Sequence, residues 1–366
     1  MNILKQNKAQ FKKDFEPFKI GTIFNPLKRS FNCKPLHKEV LIKYPLRLNA
    51  MALDPSKITE NNNLVFTPGE IVFSIAKFTI VKLKLTSKGI RINSKIGRES
   101  IIKHSALIMK KTMGYKGGFY IEADSELDIA HIGIGSSGSL MCAVISAINE
   151  LFGKPISKKE IIPFIAQNYG EDIDGLNDWL NPVQCIGGSA CSGNYDAGVM
   201  VIAGQSQVIS SLKIDPKYSI IIGLPKDYKT LDSKKALELE KKNFPLFLKT
   251  GRTYSREIAY RMIHEVLPSL SDNRLDIIGN LIYDYRYKMG SIKNCSFCYS
   301  NLENLAENLS AIKKMGLAEI LSLSSVGPSF FAITKNQAAC KRIFEENGLK
   351  VWTTKPYNRK YKASYE

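Results

Sequence analysis

A glycine–serine segment in the first half of the chain carries the strongest candidate chemistry. Residues 133–139 have the sequence Gly-Ile-Gly-Ser-Ser-Gly-Ser and run directly into an apolar stretch that predicts a helix. Glycines allow successive backbone N–H groups to converge on one anion, and the free N–H groups and positive dipole end of the following helix favour the same position. The segment predicts a phosphate-binding loop whose contacts are Gly133, Gly135, Ser136, Ser137, Gly138 and Ser139, with Ser137 as the candidate metal contact.

The loop differs from two other phosphate-binding patterns. No Lys-Ser or Lys-Thr pair follows its last glycine, as a Walker loop requires, and its glycines lack the spacing of a dinucleotide-binding fingerprint. A plain glycine-rich turn before a core helix is the structural alternative.

Three charged or ionisable side chains lie near predicted strand or loop ends and have two interpretations each. Arg47 projects from a predicted strand and could contact phosphate, or could form a surface ion pair. Asp54 could help to hold Mg²⁺ or orient an acceptor, or could simply initiate the turn at Pro55. His131, just before the loop, could donate to pyrophosphate or be a structural loop histidine.

A second small-residue turn lies late in the chain, in the segment Leu-Ser-Ser-Val-Gly-Pro-Ser. The dipeptide Gly327-Pro328 predicts a tight turn with exposed N–H groups. Ser324, Ser325 and the Gly327 backbone are therefore candidates for binding phosphate or carboxylate oxygens.

The elements that must position these groups alternate between strands and helices. Residues 39–53 and 71–92 have the β-rich alternation of strands, and residues 100–115 have the apolar stripe of a helix. Ser157 with Glu160 has the spacing of a capping box at a further helix start. Helices that occur in pairs between strands favour an α+β fold over a doubly wound sheet.

The chain has 366 residues, which is long enough for two domains. A basic, pattern-poor lead at residues 1–38 is expected to be an extension outside the catalytic core. The loop belongs to a first domain, expected at 39–212, and a polar stretch before a new apolar strand starts a second domain, expected at 213–366.

The net charge of the chain indicates which classes of binding partner are favoured. Fifty-two Lys and Arg residues against 34 Asp and Glu residues leave a net charge of +18, which favours anionic partners or a solvated Lys-rich surface. Nucleic acid is unlikely because no RRM-like, KH-like or helix-turn-helix signature is found. No apolar run spans a bilayer and the first segment lacks the apolar core of a signal peptide, so a cytoplasmic protein without a membrane partner is expected.

Seven cysteines, an odd number, argue against a disulfide framework. Cys295 and Cys298 have CxxC spacing, but no second pair or suitably spaced histidines complete a structural zinc site. Reduced, structural thiols are the preferred interpretation.

Three motifs in order resemble those of the GHMP superfamily. The segment His131–Leu140 resembles its central phosphate-binding motif, Tyr44–Asn49 its first motif with a Pro-x-Arg element, and Leu323–Ile333 its third, glycine-rich motif. The resemblance covers about residues 39–345 and implies two domains, an N-terminal domain like ribosomal protein S5 and a ferredoxin-like C-terminal domain. It leaves a homodimer open.

Within the superfamily, the Ser-Ser-x-Gly-Pro-Ser version of the third motif is similar to that of β-ribofuranosylaminobenzene phosphate synthases. The segment Arg256–Pro268, a helix ending in Leu-Pro, also resembles this branch. The resemblance implies a transferase that couples phosphoribosyl pyrophosphate to an aromatic or heteroaromatic carboxylic acid, with Mg²⁺ and with release of pyrophosphate and carbon dioxide. Both substrates are anionic small molecules.

Asp196 keeps a kinase open as the alternative. It lies where kinases of the superfamily place a catalytic Asp, so it could be the base that accepts a substrate hydroxyl proton in ATP- and Mg²⁺-dependent phosphoryl transfer. The first motif, however, lacks the Gly-Glu-His typical of sugar kinases. A degenerate member that binds a phosphorylated ligand without turnover is the third hypothesis.

Overall fold

A computed structural model describes residues 16–29, 31–59, 68–127, 129, 132–183, 185 and 187–365. In chain order, the strands are β1 Phe18–Lys19, β2 Glu39–Ala52, β3 Glu70–Thr86, β4 Ile90–Ser94, β5 Gly118–Ser125, β6 Glu171–Asp172, β7 Trp179–Asn181, β8 Val199–Ala203, β9 Gln207–Leu212, β10 Ser219–Pro225, β11 Ile320–Leu323, β12 Phe330–Thr334, β13 Leu349–Thr354 and β14 Lys362–Tyr365.

The α-helices are α1 Glu99–Thr112, α2 Ser136–Leu151, α3 Lys158–Gln167, α4 Gly188–Asn194, α5 Ser233–Arg261, α6 Leu267–Ser271, α7 Leu275–Tyr283, α8 Ser291–Asn294, α9 Leu302–Lys314 and α10 Gln337–Glu346. Short 3-10 helices cover Pro55–Thr59 and Ser296–Cys298, and π-helical segments cover Met262–Val266 and Asp284–Lys288. The α+β class expected from the sequence is confirmed.

The first sheet has seven strands, of which five follow the order β14-β2-β3-β5-β4, while β8 pairs with β3 and with β9. The long strands β2 and β3 form its centre, and only the β4–β5 pair among these is parallel. Helix α2 is apolar along most of its length and buries all 16 of its residues. It packs against this sheet on one side and α1 on the other, so its first turn is held rigidly.

The second sheet has four antiparallel strands in the order β11-β12-β10-β13. Helices α7, α9 and α10 pack on it, α9 and α10 around buried residues such as Leu309, Phe330 and Phe344. Helix α5, 29 residues long, contains Pro245 and continues directly into the π-helical segment at Met262–Val266. The expected boundary near residue 212 falls between β9 of the first sheet and β10 of the second.

Both ends of the described chain depart from the expected organisation. The lead at residues 1–38 was expected to be an extension outside the catalytic core. In its described part, Phe18 and Phe31 are buried in a hydrophobic cluster with the first sheet, and the Nδ1 atom of buried His104 accepts a hydrogen bond from the Gly21 N–H at 2.9 Å. The C-terminal strand β14 pairs with β2 of the first sheet rather than staying in the second domain. Apolar side chains and an open sheet edge account for both attachments.

Within the described residues, no helix is both long enough and apolar enough to cross a membrane.

Candidate functional site

The glycine–serine loop forms one wall of a cavity of about 280 Å³. Gly133 and Gly135 both have positive φ angles, 87° and 70°, and α2 begins at Ser136 immediately after them. Gly133, Gly135, Ser136, Ser137 and Gly138 all line the cavity. The loop therefore presents the N-terminal turn of α2 to an open space, the arrangement that suits an anion.

Neighbouring groups leave no room for side chains on this loop. A Cβ atom on Gly133 would lie 2.3 Å from the Ser324 carbonyl oxygen, and one on Gly135 would lie 2.9 Å from the Arg47 Nε atom. A Cβ atom on Gly138 would lie 2.6 Å from the Ser189 hydroxyl. Gly133 and Gly135 are thus required both by backbone conformation and by close packing, and Gly138 by close packing alone.

The three serine hydroxyls of the loop have different environments. Ser139 is fully buried, does not line the cavity, and donates to the Pro45 carbonyl at 3.2 Å. It fastens α2 to β2, so its expected phosphate contact is wrong. Ser136 lines the cavity but donates weakly to the Ile129 carbonyl at 3.4 Å. The Ser137 hydroxyl lines the cavity and forms no hydrogen bond with the described residues.

The structure brings Arg47 to the loop. Its Nη1 atom donates to the Gly133 carbonyl at 3.0 Å, and its backbone N–H donates to the Ile134 carbonyl at 3.3 Å. Its Nε atom is buried without a hydrogen-bond partner among the described residues, and no carboxylate of that set forms a salt bridge with it. Arg47 therefore does not form the surface ion pair that was the alternative. Its guanidinium places positive charge at the cavity wall.

The late turn packs against the loop instead of offering free donors. The Ser324 hydroxyl is buried, donates to the Gly133 carbonyl at 2.8 Å and accepts from the Asn49 N–H at 3.2 Å. The Ser325 N–H donates to the Asn49 carbonyl at 2.9 Å, and the Gly327 N–H donates to the Ser324 carbonyl at 2.9 Å. The expectation of exposed N–H groups is therefore wrong for Ser325, whose N–H bonds β2, and for Gly327, whose N–H bonds within the turn. Ser325 and Gly327 still line the cavity.

The two candidate acids lie elsewhere. Asp54 accepts from the Ser56 N–H at 3.0 Å and from the Ser56 hydroxyl at 2.6 Å, so it caps the 3-10 turn that follows it and does not line the cavity. Asp196 is exposed and accepts from the Lys360 N–H at 3.2 Å. Helix α4 turns its first residues, Gly188 and Ser189, to the cavity, whereas Asp196 lies past its last turn. His131 lies outside the described residues.

Glu70 is a buried carboxylate in the cavity that sequence reasoning missed. It lies on β3, is 2% exposed, and accepts hydrogen bonds from the Asn49 side-chain amide and the Gly188 N–H. Burial raises the pKa of Glu70, while the nearby Arg47 charge and these two hydrogen bonds lower it in part. A single glutamate at the start of a strand does not reveal a site in the sequence, because only the pairing of the strands places Glu70 in the same cavity as the loop.

A second part of the cavity wall is aromatic. Helix α5 contributes residues at helical spacing from Leu237 to Phe247, and Tyr228 and Phe297 complete this wall. Glu240 lies among them, and burial raises its pKa to about 7. Burial also raises the pKa of the Cys295 thiol to about 12, so this thiol is neutral and unreactive at pH 7.

Arg286 lies between the two walls. It is 2% exposed and lines the cavity, and its Nε atom donates to the Ala50 carbonyl at 2.8 Å and its Nη1 atom to the Ser291 hydroxyl at 3.0 Å. No carboxylate of the described residues forms a salt bridge with it. A buried guanidinium bonded only to neutral acceptors gives the cavity a second positive charge that suits an anionic ligand.

The described residues hold no cluster of three or more His, Cys, Asp or Glu side chains suited to a metal ion. The cavity wall does offer the Ser137 hydroxyl and the Glu70 carboxylate, which are hard oxygen donors. Mg²⁺ commonly uses one or two protein oxygens together with substrate phosphates. These two residues therefore fit a Mg²⁺ ion carried in by a phosphorylated substrate, rather than one held in a protein cage.

Comparison with known proteins agrees with this geometry. Residues 100–188, which contain the loop and α2, match the family model described as the GHMP kinases N terminal domain. The β-ribofuranosylphenol 5'-phosphate synthase of Archaeoglobus fulgidus is 24% identical over 251 residues, which are 66% of this chain and 75% of that protein.

Solved structures show the fold. Homoserine kinase from Cytophaga hutchinsonii superposes with a TM-score of 0.61 at 16% identity, over 90% of this chain and 99% of that chain. Lactococcus lactis galactokinase, complexed with galactose, gives 0.62 at 12% identity, over 90% and 95%. Mevalonate pyrophosphate decarboxylase from Streptococcus pyogenes gives 0.59 at 14% identity, over 88% and 98%.

The chain has the two-domain α+β fold of the GHMP kinases. The resemblance to the GHMP superfamily is confirmed, and residues 100–188 match the GHMP kinases N terminal domain. The relatives are enzymes and include both kinases and a synthase.

Proposed function

We propose that this protein is a transferase that couples phosphoribosyl pyrophosphate to an aromatic or heteroaromatic carboxylic acid, with release of pyrophosphate and carbon dioxide. The observation that carries the proposal is one cavity in which a phosphate-binding loop meets an aromatic wall. The synthase from Archaeoglobus fulgidus supports it, since its name describes a ribose phosphate joined to a phenol.

At the loop, this chain would bind and orient the donor. The N–H groups of the first turn of α2 and the Arg47 guanidinium place positive charge where the pyrophosphate group would lose its bond to the sugar carbon. Mg²⁺, held by the phosphates with Ser137 and Glu70, would supply additional charge for the leaving group. The many hydrogen bonds that hold the loop in place keep these groups oriented before the donor arrives.

At the aromatic wall, the acceptor ring would stack with its reacting carbon towards the sugar. The bond between the sugar carbon and pyrophosphate breaks, and a ring carbon supplies the electron pair of the new carbon–carbon bond. The bond to the carboxyl group then breaks and returns its electron pair to the ring as carbon dioxide leaves. No hydroxyl proton needs a base at the attacking atom, which agrees with the position of Asp196 outside the cavity.

An ATP-dependent small-molecule kinase is the second candidate, because Glu70 places a buried carboxylate beside the loop. A carboxylate with a raised pKa could accept a proton from an acceptor hydroxyl. The kinase hypothesis that used Asp196 is no longer supported, because that side chain is exposed and bonded to the backbone of the C-terminal segment.

The test is incubation of the purified protein with Mg²⁺ and either donor. With phosphoribosyl pyrophosphate, a panel of aromatic acids is added and pyrophosphate, carbon dioxide and the coupled product are measured together. With ATP, a panel of hydroxylated metabolites is added and ADP is measured. Coupled product supports the synthase, acceptor-dependent ADP supports the kinase, and binding of either donor without product identifies a binder without turnover.

A further inference from the structure

Arg286 is a buried cation of the cavity without a counter-ion in the described part of the chain. It is 2% exposed, and no carboxylate that lines the cavity forms an ion pair with it. Arg261, which contacts the same π-helical segment, has two close carboxylate partners, Glu265 at 2.9 Å and Asp284 at 2.8 Å. A buried charge normally acquires such a partner, so a ligand anion would supply what the fold does not.

The guanidinium of Arg286 also keeps hydrogen-bond capacity. Its Nε atom donates to the Ala50 carbonyl at 2.8 Å and to the Ser322 hydroxyl at 3.2 Å, and its Nη1 atom donates to the Ser291 hydroxyl at 3.0 Å. Its Nη2 atom has one long contact, to the Asn49 carbonyl at 3.5 Å. Because a guanidinium carries more N–H groups than these contacts use, the two terminal nitrogens retain donors for two oxygens of one anion.

A π-helical turn holds Arg286 in this position. Helix α7 passes directly into the π-helical segment Asp284–Lys288, in which Arg286 is turned into the protein. Asp284, at the start of the segment, pairs with Lys288 at 2.7 Å and with Arg261 at 2.8 Å. π-helical turns are frequent at functional sites. The guanidinium is therefore fixed in the cavity before a ligand arrives.

Arg286 and the glycine–serine loop meet strand β2 at different positions. Arg47 projects from β2 to the loop, whereas Arg286 bonds the carbonyl groups of Asn49 and Ala50, further along the same strand. At a rise of about 3.3 Å per residue, positions 47 and 50 of a strand are about 10 Å apart. This span is longer than a pyrophosphate group. It is comparable with a pentose that carries a phosphate at one end and a pyrophosphate at the other.

The carboxyl group of the acceptor is a less suitable partner for Arg286. In the proposed reaction this group leaves as neutral carbon dioxide. Charge-assisted hydrogen bonds from a guanidinium would stabilise the carboxylate before it leaves and weaken as its charge is lost, which slows the step. The 5-phosphate of phosphoribosyl pyrophosphate keeps its charge throughout the reaction, so tight binding of this group carries no such cost.

We propose that Arg286 binds the 5-phosphate of the donor while the loop binds the pyrophosphate, so that the site selects a pentose with phosphate groups at both ends. Arg286 then determines donor specificity and takes no part in bond breaking. A nucleoside triphosphate carries its phosphates in one chain, so it would occupy the loop and leave Arg286 without a partner. This inference rests on the function proposed above.

Calorimetric titration with two partial ligands, inorganic pyrophosphate and ribose 5-phosphate, tests the assignment. We expect Arg286→Gln to weaken binding of ribose 5-phosphate and of phosphoribosyl pyrophosphate by about 10–100-fold. Pyrophosphate binding should change by less than about twofold. Gly135→Val should show the reverse pattern with the two partial ligands. Arg256→Gln, which removes the same charge from an exposed position on α5, is the matched control and should bind both like the wild type.

A measurement on the wild type covers the case in which Arg286→Gln does not fold. Ribose 5-phosphate should still bind to protein saturated with pyrophosphate, with its Kd changed by less than about fivefold. Competition between the two ligands, or no binding of ribose 5-phosphate, would overturn the inference, as would wild-type affinity for ribose 5-phosphate in folded Arg286→Gln. If no coupled product forms but Arg286→Gln selectively loses ribose 5-phosphate, the proposed function fails and the second phosphate site stands.

Discussion

The loop and the aromatic wall of the cavity are built in opposite ways. The loop comes from one short stretch of chain, residues 133–138. Distant parts of the chain hold it in place, because the Gly133 carbonyl accepts hydrogen bonds from both Arg47 and Ser324. The aromatic wall is assembled from residues that lie between Tyr228 and Cys298, and it contains a carboxylate without a partner.

The difference shows what each part is built to do. Hydrogen bonds from Arg47 and Ser324 to the Gly133 carbonyl fix the loop geometry in advance, which favours the binding of a highly charged group, and the Ser137 hydroxyl remains unbonded among the described residues. An unpaired carboxylate in an apolar wall costs stability, because no described residue neutralises its charge with a hydrogen bond or an ion pair. For the proposed function, the loop supplies a preformed place for the charged group, whereas the wall supplies an apolar surface with one unpaired carboxylate.

The largest expected effect comes from filling the loop. Gly135→Val places a branched side chain at a positive φ angle and against Arg47 and Ser189, so donor binding should weaken by more than about 100-fold. Calorimetric titration with phosphoribosyl pyrophosphate and with ATP measures the change. Gly316→Val is the control, because Gly316 also has a positive φ angle but faces open space. Equal affinity in wild type and Gly135→Val would remove the loop from the site.

The next largest effect is expected on the free energy of unfolding when Glu240 is replaced. A carboxyl group whose pKa is about 7 in the fold but ordinary in the unfolded chain stabilises the fold fully below about pH 4.5, and this contribution is lost as the pH rises through 7. Glu240→Gln should therefore raise the free energy of unfolding at about pH 8, on the order of 1–3 kcal/mol, and should change it little at about pH 4.5. Urea denaturation at both pH values measures this. A variant that is less stable at the higher pH would show that Glu240 has a stabilising partner.

Removing the Ser324 hydroxyl, which holds the loop, should lower both stability and donor binding. Ser324→Ala deletes the hydroxyl that bonds the Gly133 carbonyl and the Asn49 N–H, and leaves these buried groups unpaired. We expect a loss of about 1–3 kcal/mol in the free energy of unfolding, together with weaker donor binding. Ser296→Ala, at an exposed hydroxyl that bonds only the Lys293 carbonyl, is the control. A wild-type melting temperature with weaker donor binding would instead mean that Ser324 contacts the ligand.

The smallest effect is expected at Asp196. Its carboxylate is exposed, lies outside the cavity and bonds only the Lys360 N–H among the described residues, so Asp196→Asn should change turnover with either donor by less than about twofold. Steady-state rates with phosphoribosyl pyrophosphate and with ATP check this. Loss of ATP turnover in this variant would restore Asp196 as a base and favour the kinase.

The extent to which the sequence predicted the site differs residue by residue. Gly133, Gly135 and Arg47 lie together at the cavity wall, and their contact with phosphate stays a prediction. Ser139 and the N–H group of Gly327 were predicted to contact a ligand but bond the protein itself. A residue type shows that a group can donate, but not whether another part of the protein already accepts from it.

The sequence alone determined the glycine–serine loop, the helix behind it and the α+β class, because φ preferences, helix termini and apolar periodicity act between residues that are close along the chain. Only the tertiary structure decided which polar groups remain available. The contact between Ser324 and Gly133 joins residues 191 positions apart, and Glu70 on β3 and Glu240 on α5 line one cavity. Burial and hydrogen-bond saturation depend on such distant partners, so they set the chemistry of the cavity only once the chain has folded.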